Sequence, residues 1–202
     1  IIISPEPPTL MLGINQTTPA AIVGGKIYES LLRYDFDLKP MPGLAKSWTV
    51  SPDGLTYTFQ LQEGVKWHDG TPFTAEDVVF SAKTYLTAVH PRSRPIFQRA
   101  EEITAPDPLT VVFKLKGPFA PFLMAWEPST APIVPRHIYE GTDFRTNPAN
   151  AKPIGTGPFK LKEWVRGSHI HFVRNDDYWQ KGKPYLDEIY YRVLPDAGPR
   201  VV

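Results

Sequence analysis

Residues 45–89 lay down a strand, a tight turn, a second strand, a connecting loop and a capped helix without a break, and the rest of the chain is organised around that succession. Tyr57, Phe59 and Leu61 alternate with Thr56, Thr58 and Gln60, the period of two expected of a half-buried strand. Ser51-Pro52-Asp53-Gly54 supplies the turn before it. Pro presets φ there, and Gly accepts the positive φ that other residues resist. Beyond the loop, Thr74-Ala75-Glu76-Asp77 predicts a helix start of the capping-box kind, a hydroxyl followed three residues on by an acid. Val78, Ala82, Tyr85, Leu86 and Val89 then recur at helical spacing. The run contains nothing catalytic by itself.

Twenty-three prolines in 202 residues exclude a helical bundle, because each removes a backbone donor and disfavours helix before it. No apolar run reaches the roughly 18 residues of a membrane span. A net charge of +1, with both signs interspersed, lacks the basic excess of a nucleic-acid binder. The absence of cysteine excludes disulfides and thiolate metal sites, and suits a periplasmic or a cytosolic protein equally. Ile1-Ile2-Ile3 reads as the middle of a strand with no signal peptide before it, so a processed or trimmed start is expected.

The central run resembles the signature region of the family 5 extracellular solute-binding proteins, the peptide, opine, sugar and nickel receptors of ABC importers. Leu44-Ala45-Lys46-Ser47-Trp48, Asp53-Gly54-Leu55-Thr56-Tyr57-Thr58-Phe59, Gly64-Val65-Lys66-Trp67-His68-Asp69-Gly70 and Thr74-Ala75-Glu76-Asp77-Val78-Val79-Phe80-Ser81 carry the likeness, in order. Gln62 departs from it, standing where the family usually has Lys or Arg. Pro153-Ile154-Gly155-Thr156-Gly157-Pro158-Phe159 is a second matching piece, and Ile133 to Tyr139 a third.

Elsewhere the pattern predicts a loop over 14–25 centred on Gln16, Thr17 and Thr18, then a short helix from Ile27, Leu31 and Leu32, then a turn at Tyr34 to Asp37. His90 to Pro95 reads as a loop carrying Arg92 and Arg94. A hairpin across Pro106-Asp107, a short helix at 119–126, and a strand end with a helical turn at 133–139 follow. A polar loop at 141–152 precedes strands at 159–164, 170–173 and around Ile189, Tyr191 and Val193.

Gly155-x-Gly157 lacks the third glycine of a dinucleotide fingerprint and the Lys-Ser/Thr of a phosphate loop, so a turn allowing close backbone passage is expected. His169 and His171 share one face of a strand at usable metal-ligand spacing. With no third ligand in sight they read as solvent-facing, and no metal or cofactor is expected. His68-Asp69 reads as a turn, and the pairs Glu101-Glu102 and Asp176-Asp177 as solvated surface. Tyr57, Phe59, Phe80 and Phe113 are core by periodicity. Phe97, Trp126 and Trp179 fall in or beside loops, where an aromatic can pack on a ligand.

The resemblance implies a mixed α/β fold: the N-terminal lobe of a two-lobed, type II periplasmic binding protein with the inserted subdomain of the peptide-binding family. Residues 1–28 and 149–202 would form the hinge-bearing lobe and 29–148 the insert. The second lobe would be absent, leaving apolar surface and self-association of a protein monomeric at full length. Residues 194–200 resemble the entry into a helix leading to that lobe. The implied function is capture of short peptides in the periplasm and delivery to membrane permease subunits, without enzymatic activity. Oligosaccharide, opine or nickel-chelate ligands stay open within the class. Outside it stand a metal-dependent hydrolase built on His169 and His171, and a chaperone-like interaction protein. By position in the motif order, the ligand-facing residues would be Gln16, Thr17, Thr18, Arg94, Phe97, Trp126, Glu127 and Ser129.

Overall fold

A computed structural model describes residues 1–194. The chain enters through β1 (Ile2–Ile3) and α1 (Thr18–Gly24), then β2 (Leu32–Tyr34) and β3 (Pro40–Pro42). The central run supplies β4 (Ala45–Val50), β5 (Thr56–Leu61) and α2 (Ala75–Phe80), which continues through a π turn at Ser81–Tyr85 into α3 (Leu86–Val89). Next come α4 (Arg94–Phe97), β6 (Ala100–Asp107), β7 (Thr110–Leu115) and a 3-10 turn at Ala120–Ala125. The described chain closes with α5 (Arg136–Tyr139), β8 (Phe159–Val165), β9 (His169–Arg174) and β10 (Glu188–Val193).

Among the described residues these strands form three sheets, ordered β1-β10-β9-β8, β2-β3 and β4-β5-β7-β6. All pairings are antiparallel except β1 with β10, where Ile2 lies opposite Arg192. On β5 the alternation holds residue by residue: Tyr57, Phe59 and Leu61 are buried and Thr56, Thr58 and Gln60 are half-buried. Beneath that sheet Trp126 sits in a box of phenylalanines, with ring centroids 5.7 Å from Phe59, 4.9 Å from Phe97 and 5.0 Å from Phe113. Edge-on geometry at these distances strengthens such pairs beyond the area they bury.

The helix begins where the acid pattern places it. Asp77 accepts the Thr74 N–H at 2.9 Å, the reciprocal bond of a capping box. Val78, Ala82, Tyr85, Leu86 and Val89 are all buried, although the helix widens to a π turn between them. At that widening Ser81 Oγ accepts the Val134 N–H at 2.9 Å, tying the helix to the 133–135 segment.

Several expectations need correction. The first helix is Thr18–Gly24, inside the expected loop, and 27–32 is not helical. Pro19 favours a helix start and Gly24-Gly25 its end. Ile27, Tyr28, Leu31 and Leu32 are spaced for an extended segment buried on all sides as readily as for a helix. The expected loop at 90–95 runs into α4, and the polar loop at 141–152 contains a 3-10 turn at Pro148–Ala151, capped by Asn147 accepting the Ala149 N–H at 2.8 Å. No strand is assigned at 133–134, although the Ile133 N–H reaches Glu29 O at 3.0 Å. Residues 195–200, expected to enter a helix, lie outside the described residues.

His171 is the other correction. It is 2% exposed, not solvent-facing, because the Tyr190 ring stacks on it at 3.9 Å and Glu163 and Glu188 flank it. His169 lies beside it, 3.1 Å from Glu163 Oε1. No group of three metal-ligating side chains comes together among the described residues.

Candidate functional site

Segment 26–34 carries the site, and three parts of the chain hold it in place. On one side lies the Gly155-Thr156-Gly157 turn, whose Gly157 N–H donates to Ile27 O at 2.8 Å. A side chain at either glycine would collide with the 26–27 backbone, so the motif serves close passage as its sequence predicts. His68 braces the same turn. Its backbone N–H reaches Gly155 O at 2.9 Å, Nε2 faces Gly157 O at 2.9 Å, and Nδ1 accepts the Gly155 N–H at 3.3 Å. These partners select the neutral ring protonated on Nε2.

Burial, more than any neighbour, pushes the His68 imidazole down to about 4. A depressed histidine contributes stability that is present in full above its unfolded value of about 6.5 and lost as pH falls toward the folded value. Unfolding free energy is therefore expected to drop by about 3 kcal/mol from this group between neutral pH and pH 4. Denaturant titrations across that range should show the slope reduced in His68→Gln. An unchanged slope would exonerate this ring.

Glu29 is the second fixture. Its Oε1 accepts the Tyr178 hydroxyl at 2.7 Å, and Oε2 accepts Trp179 Nε1–H and the Thr156 hydroxyl, both at 3.0 Å. Burial raises its pKa, and the three donors partly counter that. The third is the 126–131 segment: Ser30 Oγ donates to Ala131 O at 2.7 Å and the Leu32 N–H to Trp126 O at 3.1 Å. β2 and this segment thus lie side by side.

Between them opens a cleft of about 500 Å³ lined by Arg33, Tyr34, Leu38, Met124, Glu127 and Pro128. Tyr34 donates to Leu123 O at 2.5 Å, and burial first, then the Glu127 charge, pushes its phenol up to about 12. It stays neutral at ordinary pH. Glu127 Oε2 accepts the Ser129 N–H at 2.9 Å, and Oε1 accepts the Ser129 hydroxyl at 2.6 Å and the Thr130 hydroxyl at 2.5 Å. Arg33 Nε donates to Pro42 O at 2.9 Å. A second hollow, of about 490 Å³, runs along β8 past Lys152, Lys160, Lys162 and Trp164. Lysines on an edge strand such as β8 also discourage pairing with other chains.

Of the residues expected to face a ligand, Glu127 lines the first cleft and Ser129 braces it. Gln16 is half-buried, and Thr17 and Thr18 are exposed at the start of α1, outside that lining. Arg94 is spent on Thr87 O and Ala88 O, both at 2.7 Å. Phe97 and Trp126, 2% and 0% exposed, are turned into the aromatic box and not toward an open surface. Sequence reasoning missed Arg33, Tyr34, Leu38 and Met124. Arg33 was findable as the sole cation between Ile27 and Leu38, next to an expected turn.

The fold matches that of solved periplasmic binding proteins. Oligopeptide-binding AppA of Bacillus subtilis, solved with a nonapeptide, superposes with a TM-score of 0.86 at 33% identity, over 96% of this chain and 39% of that one. AgaA of A. tumefaciens R10, solved with agropinic acid, gives 0.84 at 36% identity, over 97% and 39%. NikA of Brucella suis, solved with Fe(III)-EDTA, gives 0.86 at 30%, over 99% and 40%. In sequence the chain is 36% identical to AppA over 200 residues, 96% of its own length and 36% of the relative's. The architecture is therefore the mixed α/β one of type II periplasmic binding proteins. The model for bacterial extracellular solute-binding proteins, family 5, matches residues 39–202, and the chain belongs to that family. It spans a little over a third of the length of these relatives.

Proposed function

We propose that this chain forms the first lobe of the solute-binding component of an ABC importer, taking up short peptides in the periplasm and passing them to permease subunits. The observation that carries the reading is the cleft between β2 and residues 124–128, held on a braced platform and furnished with one cation, one carboxylate and apolar walls. Such a surface binds, and it offers no nucleophile poised against a base. AppA, named for oligopeptides and solved with one, supports the peptide assignment. Residues 1–28 with 149–202 form the hinge-bearing part and 29–148 the insert. Closure of a second lobe over the cleft stabilises the bound state by differential affinity. A carboxylated opine is the second reading, supported by the likeness to AgaA.

Small-ligand sites ordinarily bury about 70 to 90% of the ligand, so a lobe without its counterpart loses much of the contact. Losing about 4 kcal/mol turns micromolar binding into millimolar. Residues 1–202 alone are expected to bind no peptide measurably by calorimetry, while the longer protein does. Mass spectrometry of whatever co-purifies with the longer protein should yield short peptides. Equal affinities for the two chains would place the whole site in this lobe and end the two-lobe mechanism.

A further inference from the structure

We propose that Arg33 is a specificity-determining residue of the cleft, selecting ligands that carry a carboxylate next to an apolar group; this rests on the receptor reading above. The guanidinium is exposed and lines the cleft. Only its Nε is engaged, by Pro42 O, and among the described residues its two terminal nitrogens have no hydrogen-bond partner. The carboxylates nearby are already occupied by other donors. Glu127 is held on both oxygens by Ser129 and Thr130, and Glu29 by Thr156, Tyr178 and Trp179. Tyr34 has committed its hydroxyl to Leu123 O.

The unspent hydrogen-bonding capacity at this point is thus a planar donor fork, whose geometry matches the two oxygens of a carboxylate. Around it Leu38 and Met124, 66% and 55% exposed, and Pro128 form a wall on which an aliphatic or aromatic group is buried. One carboxylate is accepted by direct contact with the fork.

The test uses the longer protein that carries this chain, with calorimetry on three probes: Leu-Leu-Leu, its C-terminal amide, and Leu-Glu-Leu amide. The wild type is expected to bind the free acid about tenfold or more tighter than the amide when the terminal carboxylate is read. If a side-chain carboxylate is read instead, Leu-Glu-Leu amide shows the gain. R33Q removes either preference, and R33K, a point charge without the fork, keeps part of it. Arg33 is exposed, so unchanged thermal midpoints are expected and serve as the folding control. A preference that persists in R33Q, or no carboxylate preference in the wild type, overturns the assignment while the receptor reading stands. Failure of the wild type to bind any of the three removes the peptide-receptor reading and this assignment with it.

Discussion

Replacing Gly155 with Ala is expected to destabilise the chain by about 4 kcal/mol or more, enough to abolish folding of a marginal domain. A Cβ there would stand 1.9 Å from Ile27 O and 2.6 Å from Ile27 C, both backbone atoms. Neither side can retreat. Gly157 is bonded to Ile27 O, and His68 grips Gly155 through its main chain and its ring. Gly117→Ala is the control, because nothing lies within 4 Å of its Cβ and its φ is not positive. It should stay within about 0.5 kcal/mol of wild type. Urea unfolding of both variants, or soluble yield if the first does not fold, decides the matter. Equal stabilities would mean that the turn does not pass this close to residue 27.

Asp77→Ala is expected to cost about 3 kcal/mol. The carboxylate is buried and gathers three donors: the Thr74 N–H and the Arg136 N–H at 2.9 Å each, and Trp67 Nε1–H at 3.3 Å. Alanine orphans all three, and each unpaired buried donor carries its own desolvation penalty. Asparagine retains one acceptor oxygen and should fall between. Burial raises the Asp77 pKa despite these donors. A raised carboxylate contributes stability that is full below its unfolded value and lost as pH rises through the folded one. Asp77→Asn should accordingly remove a downward slope with rising pH from the acid end of the stability profile. Should Asp77→Ala unfold at wild-type denaturant concentrations, the helix start draws its order from packing and not from this carboxylate.

What the sequence made legible follows from local rules. The alternation in β5 and the acid three residues after Thr74 act through the backbone within a few residues, and Gly155-x-Gly157 announces a close approach without naming the distant 26–27 backbone that it meets. Each therefore left a pattern to read. The cleft did not. Arg33 and Glu127 are brought to one hollow by bonds from Ser30 to Ala131 and from Leu32 to Trp126, about a hundred residues apart, and no spacing records such a meeting. Phe97 and Trp126 stand beside loops in sequence, yet their rings are enclosed, for a related reason. A loop position in sequence says nothing about which way a large ring turns, and burying an aromatic is favourable wherever other rings can enclose it. His171 was misplaced because strand alternation assigns a face but not what covers that face, here Tyr190 from β10.

The short first strand has a kinetic meaning. β1 pairs in parallel with β10, the last strand described, so two residues close a loop made of nearly the whole chain. The chain entropy surrendered in closing so long a loop is paid back by very few bonds, such as that from the Arg192 N–H to Ile1 O at 2.8 Å. Ladders of this kind assemble after the local hairpins β4–β5 and β8–β9 and open before them. Amides of β10 that face β1 should therefore trade hydrogen for deuterium sooner than those facing β9, making one side of a single strand the place where the fold first loosens.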